Sequence, residues 1–178
     1  MIKKIYLTGF MGSGKSTIGP ILANTLGWDF YDLDFVIEKK IGKKVSKIFE
    51  ENGEEYFRKL ESEILMELSE KEYIIIALGG GTIASQVNID LMKSNGRIIY
   101  LKISSEAAYK RLRFKRDRPV LTRDGTVNLG KNEFVKKIDE LLSARKKFYE
   151  QADYTVETNN LPMGILVDKL ARLIQSNK

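Results

Sequence analysis

The chain has 178 residues, 43% of them hydrophobic, which is enough for one well-buried core and too few to divide readily in two, so a single domain over residues 1–178 is expected. It contains no cysteine and no histidine, which excludes a disulfide scaffold, a thiol nucleophile and the commonest proton shuttle near neutral pH; acid–base chemistry falls to a carboxylate or a lysine. The net charge of +6 sits in one place, because residues 110–123 carry seven basic side chains against Asp117 alone, and so compact a cationic segment suits a small polyanion better than a nucleic-acid track.

Taken in chain order, the first element is an apolar, β-branched strand over 2–7. The helix that follows places Ile18, Ile21, Leu22 and Leu26 on one face and stops at Gly27, with a kink expected where Pro20 removes a backbone donor. A short strand is expected at 30–33, then a helix opening near Gly53 with an apolar arc of Phe57, Leu60, Ile64, Leu65 and Leu68. Further strands fall at 73–78, 98–103 and 154–156. A helix between the last two carries a stripe of Phe134, Ile138, Leu141 and Phe148. Strands alternating with helices read as a parallel sheet wrapped on both faces, an α/β fold. Residues 113–130 lack periodicity and contain Pro119, Gly125 and most of the basic cluster, the composition of a lid. No run approaches about 18 apolar residues and the opening residues show no leader pattern, so a soluble, cytoplasmic protein is expected.

Chemistry concentrates first in "GFMGSGKST", residues 9–17. The spacing Gly9-x4-Gly14-Lys15-Ser16, after a strand and before a helix, is the phosphate-loop pattern in the context that gives it meaning. Glycines let backbone N–H groups turn inward around phosphate oxygens, and a helix N-terminus adds favourable dipole. Gly12, Ser13, Gly14, Lys15, Ser16 and Thr17 are therefore expected to hold a nucleotide, with Lys15 on the outer phosphates and Ser16 toward Mg2+. The base-reading NKxD and the DxxG of a GTPase switch are both absent, and the strand at 74–77 ends in "LGGG" with no metal-side acid. Another acid must then help hold the metal, and "YDLDFVIE" supplies the nearest. If Asp32 and Asp34 lie along one extended segment, one can back the metal and the other face an acceptor hydroxyl.

Three features point to a second, acidic substrate. Glu61 falls inside the apolar arc of its helix and Arg58 at its edge, where charge is costly unless paired or facing a cleft. Arg145 occupies the missing position of the stripe that includes Ile138 and Phe148, and an arginine in a core-facing row calls for an anion. Gly79, Gly80 and Gly81 let the chain approach a ligand closely at the carboxyl end of a strand, where open α/β sheets put their sites.

The ordered set "GFMGSGKST", "DLD" at 32–34, "FR" at 57–58 followed by Glu61, "LGGG" at 78–81, "RP" at 118–119 and "ARKKFY" at 144–149 before "ADYTVET" resembles the shikimate kinase family along nearly the whole chain. The resemblance implies a three-layer P-loop kinase fold of the nucleoside monophosphate kinase type, with a five-stranded parallel sheet, a substrate-binding region at about 33–61 and a lid at about 113–130. It also implies phosphorylation of the 3-hydroxyl of shikimate by ATP in aromatic amino acid biosynthesis, by a monomer. Carried onto this sequence, it assigns the metal to Ser16 and Asp32, the acceptor hydroxyl and its base to Asp34, and the substrate to Arg58, Glu61, Gly79, Gly80, Gly81 and Arg145. Arg118 and Lys15 would neutralise charge on the transferring group. Ala77 stands where many members carry a hydroxyl residue, and "TNNLPMG" lacks their adenine-side arginine, so Asn159 or Asn160 is expected to substitute. The rivals are a sugar-acid or nucleoside monophosphate kinase of the same fold, and an RNA-gripping nucleotide-binding module.

Overall fold

The computed structural model describes residues 2–113, 130–159 and 161–176. Most of the expected lid, with Arg118, Pro119 and Gly125, lies outside the described residues, as does Asn160. Five strands, β1 (Lys4–Thr8), β2 (Asp29–Asp32), β3 (Ile74–Ala77), β4 (Arg97–Lys102) and β5 (Tyr154–Glu157), form one sheet in the order β2-β3-β1-β4-β5. All four pairings are parallel. The helices are α1 (Lys15–Leu26), α2 (Leu33–Ile41), α3 (Val45–Ser69), α4 (Gln86–Asn95), α5 (Ser105–Leu112), α6 (Lys131–Tyr149) and α7 (Met163–Ser176), with a 3-10 turn at Thr82–Ala84.

Side-chain alternation along the strands sorts the core into two layers. On one face Tyr6, Ile74, Ile76 and Ile98 pack beneath α2, α3 and α4; on the other Ile5, Leu7, Ile75, Ile99 and Leu101 pack beneath α1 and α7. Strands buried on both sides must be apolar at successive positions, which is why 74–77 reads Ile-Ile-Ile-Ala. From β1 the chain crosses through α1 toward β2, whereas β4 lies on the other side of β1. That reversal opens a crevice beyond the carboxyl end of β1, where the phosphate loop emerges. A third cluster, Phe10 with Ile103, Ala108, Leu112 and Ile138, ties the loop's first turn to α5 and α6.

Four local expectations need correction. Ile21 is exposed, and Gly19 and Ala23 complete the inner face of α1 with Ile18 and Leu22; Phe30 packs so closely over Gly19 that the helix buries its small side there. Helix α1 runs unbroken through Pro20, which lies on the solvent side. Helix α3 begins at Val45, not near Gly53; Gly53 sits inside it as a break (φ 82°, ψ 174°) that only a residue without a side chain adopts cheaply. Asp32 and Asp34 do not lie along one extended segment, because β2 ends at Asp32, which caps α2, and Asp34 lies in the first helical turn. Among the described residues, no helix is long and apolar enough to cross a membrane.

Candidate active site

The phosphate loop takes its shape from glycine. Gly12 (φ 78°) and Gly14 (φ 104°) lie in the left-handed region, and Gly14 is the residue from which α1 starts. The N–H groups of the first turn of α1 thus have no side-chain cap and face the crevice. The Lys15 ammonium donates to the carbonyl of Gly9 at 2.6 Å and to that of Phe10 at 3.4 Å, folded along the loop. Ser16 donates from Oγ to Oδ2 of Asp32 at 2.7 Å, while the other Asp32 oxygen accepts the Phe35 N–H at 3.4 Å and caps α2. One carboxylate therefore joins the phosphate loop to the helix that carries Asp34.

Asp34 is a half-buried acid in mixed company. Burial pushes its pKa from 3.8 up to about 6, the neighbouring carboxylates of Asp32 and Glu61 push the same way, and Lys15 and Arg58 oppose them. A carboxylate so placed is a competent proton acceptor near neutral pH. Its immediate neighbour is the glycine triplet: a Cβ at Gly79 would lie 2.6 Å from Asp34 Oδ1 and 2.8 Å from Glu61 Oε1. Close approach, not a turn, explains that glycine.

Two arginines converge on the rest of the triplet. A Cβ at Gly81 would fall on the Arg58 guanidinium, and one at Gly80 would lie 3.7 Å from Arg145 Nη1. Arg58 stacks near the rings of Phe57 and Phe49, at 5.3 and 5.7 Å, and pairs with Glu61 at 2.8 Å and Glu54 at 3.3 Å. Glu61 is only 1% exposed, an expensive place for an anion, and both its oxygens are engaged, one by Arg58 and the other by the Thr82 hydroxyl at 2.6 Å. It stands behind Arg58 and fixes that fork. Arg145 is half-buried, and among the described residues no carboxylate pairs with it.

A cavity of about 490 Å³ runs along the loop, lined by Gly12, Ser13, Gly14, Lys15, Ser16 and Thr17 together with Asp32, Asp34 and Gly80. Its size is that of a small-molecule site. Arg58, Glu61, Gly79, Gly81 and Arg145 do not line it; they cluster around the triplet beside it, with Asp34 and Gly80 common to both. Sequence reasoning missed the cavity's far end. Arg111, counted only as part of the basic run, donates to the Gly12 carbonyl at 2.8 Å and to the Thr158 carbonyl at 2.7 Å, and thereby locks the phosphate loop to the loop after β5. Leu161 and Met163 add an exposed apolar wall there. Asn159, one of the two residues expected at the adenine, engages its side-chain oxygen with the Ser104 N–H at 2.8 Å, next to the start of α5. Nothing in the sequence links residues 12, 111 and 158, which meet only through the sheet.

Similarity to known proteins agrees with this geometry. A family model described as "Shikimate kinase" matches residues 11–175. A shikimate kinase of Chlorobium phaeobacteroides is 48% identical over 170 residues, covering 96% of this chain and 90% of the relative. The crystal structure of shikimate kinase from Bacteroides thetaiotaomicron superposes with a TM-score of 0.89 at 33% identity, covering 98% of this chain and 99% of that one. Shikimate kinase from Acinetobacter baumannii in complex with shikimate gives 0.88 at 37%, covering 100% and 96%. A five-stranded parallel sheet with this loop, this glycine triplet and matches spanning nearly the whole length leave one conclusion: the chain belongs to the shikimate kinase family.

Proposed function

We propose that the chain performs its family's reaction with the residues described above: the terminal phosphoryl group of ATP passes to the 3-hydroxyl of shikimate, giving shikimate 3-phosphate and ADP. The observation that carries the reading is the Asp34 carboxylate, with a pKa near 6, common to the phosphate-loop cavity and the arginine-flanked triplet. The hydroxyl oxygen forms a bond to the γ-phosphorus as the bond to the β–γ bridging oxygen breaks, and the hydroxyl proton goes to Asp34. Phosphoryl transfer requires mainly alignment and stabilisation of spread negative charge.

The loop N–H groups and Lys15 hold the phosphates, and Arg118, outside the described residues, is assigned to the same charge. Arg58 and Arg145 clamp the substrate carboxylate; Gly80 approaches the ring; Gly79 and Gly81 leave room for Asp34 and Arg58; Glu61 fixes Arg58. The hydroxyl of Ser16 and the carboxylate of Asp32 are hard oxygen donors 2.7 Å apart, the chemistry that suits Mg2+ bound mostly by water and phosphate. When bound there, Mg2+ would offset phosphate charge. We further propose that the base lies between Arg111 and the wall of Leu161 and Met163. Residues 1–178 are read as one domain, with substrate contacts within 33–61 and a lid within 113–130, acting as a cytoplasmic monomer.

A coupled ADP-release assay across shikimate, quinate, gluconate and nucleoside monophosphates tests the assignment. Turnover with shikimate at a kcat/KM at least about 10²-fold above the others is expected, as for a site built around a specific carboxylate and hydroxyl. Comparable turnover with a nucleoside monophosphate would overturn it.

A further inference from the structure

Within the segment "ARKKFY", Arg145 has a role and Tyr149 does not. Tyr149 ends α6 one turn beyond Arg145, so the two share a helix face. Its ring stacks flat on Tyr100, centroids 4.4 Å apart and planes 3° from parallel, and it packs into the core with Leu78 and Ile83, which flank the glycine triplet. The residue is 2% exposed, yet its hydroxyl has no hydrogen-bond partner among the described residues. A buried polar group without a partner needs an explanation. Burial pushes this phenol's pKa up, which keeps it neutral, and the Arg145 guanidinium opposes the rise by its charge and by a hydrogen-bonding approach to the hydroxyl that falls short of good hydrogen-bond geometry.

We propose that Tyr149 is a positioning residue for Arg145, its hydroxyl holding the rear of the guanidinium so that the front stays over Gly80. The flat stack on Tyr100 and the packed core fix the phenol in place. Arg145, with no carboxylate partner among the described residues, would otherwise sample several rotamers. A phenol oxygen can accept one guanidinium N–H while the remaining N–H groups stay directed at a ligand carboxylate, and such bonds tighten when the ligand arrives. This rests on the reading of Arg145 as the carboxylate clamp.

The test uses the full chain in the ADP-release assay, with Tyr149→Phe, Arg145→Ala and the double variant. Tyr149→Phe should raise the KM for shikimate roughly three- to tenfold, the effect of one ordinary hydrogen bond felt through Arg145, with the KM for ATP unchanged and no loss of thermal stability. In the Arg145→Ala background the same substitution should have less than about a twofold effect. An unchanged shikimate KM, or an equal rise when Arg145 is absent, overturns the proposal. So does a Tyr149→Phe protein that fails to fold, since the hydroxyl would then have a structural partner. If Arg145→Ala itself leaves the KM unchanged, the clamp reading fails and takes this inference with it. If Arg145→Ala raises the KM and Tyr149→Phe does not, only the inference fails.

Discussion

Replacing Asp34 by asparagine should remove activity and strengthen the fold. The amide cannot take the acceptor's proton, so kcat should fall by about 10²–10⁴, the usual range for a general base. The stability effect follows from the same carboxylate. Its pKa is 3.8 in an unfolded chain and about 6 in the native one, so the native state favours the protonated form. At pH below 3.8 both states carry the proton and the group is neutral toward folding. As pH rises through the window from 3.8 to 6 the native state is progressively penalised, and above about 6 the full cost of about 2–3 kcal/mol is present. The variant, with nothing to titrate, escapes that cost. Its stability advantage should therefore grow between pH 4 and pH 7.5, corresponding to a gain of about 4–12 °C in Tm at the upper end. Urea denaturation of both proteins at the two pH values, with EDTA and without nucleotide, measures the difference directly. A pH-independent difference, or an advantage that shrinks as pH rises, would show that Asp34 is not an acid strained by its surroundings.

The same carboxyl should set the acid limb of kcat/KM for shikimate: activity falls as pH drops through about 6, because the base form is lost, and an inflection near pH 4 would contradict this. Gly79→Ala should press a methyl group against Asp34 and Glu61 and cost about 10²-fold in kcat/KM while ATP binding, followed by calorimetry, survives. Arg111→Ala should raise the KM for ATP about tenfold and spare that for shikimate, since it loses two charge-assisted bonds at the phosphate loop; equal effects on both substrates would place its role elsewhere. Ser69→Ala should strand the buried Tyr6 hydroxyl, which meets Ser69 Oγ at 2.8 Å, and lower stability by about 1–3 kcal/mol in urea titration without changing KM values.

What could be read ahead of the structure was whatever a period or a fixed spacing encodes. Four of the five strands declare themselves because apolar β-branched runs have few other uses, and the phosphate loop because its glycine spacing is a steric requirement. Arg145 stood out by violating its own helix's stripe, and the structure sets it beside Gly80. Reading went wrong where a neighbour in space outweighs a neighbour in sequence. Ile21 belongs to the apolar periodicity of α1, but the close contact of Phe30 with Gly19 turns that face of the helix inward. Asp34 looked like part of an extended segment because the residues through Asp32 form one; the capping bond at Asp32 that starts α2 is a local event that alternation alone does not encode. Arg111 and Thr158 could not be found at all, since their link runs through two strands and a crossover.

The double engagement of Asp32 has a geometrical corollary. The start of α2, closed by the Asp32 cap, separates the side chain that answers to Ser16 from the one that meets Gly79. Whatever tilts α2 carries both acids along as a single jig, so under the proposed roles the donor's anchor and the acceptor's base would move together. On the proposed roles, one turn of backbone thereby gauges part of the alignment of the two reactants, and the arginines of α3 and α6 supply the rest.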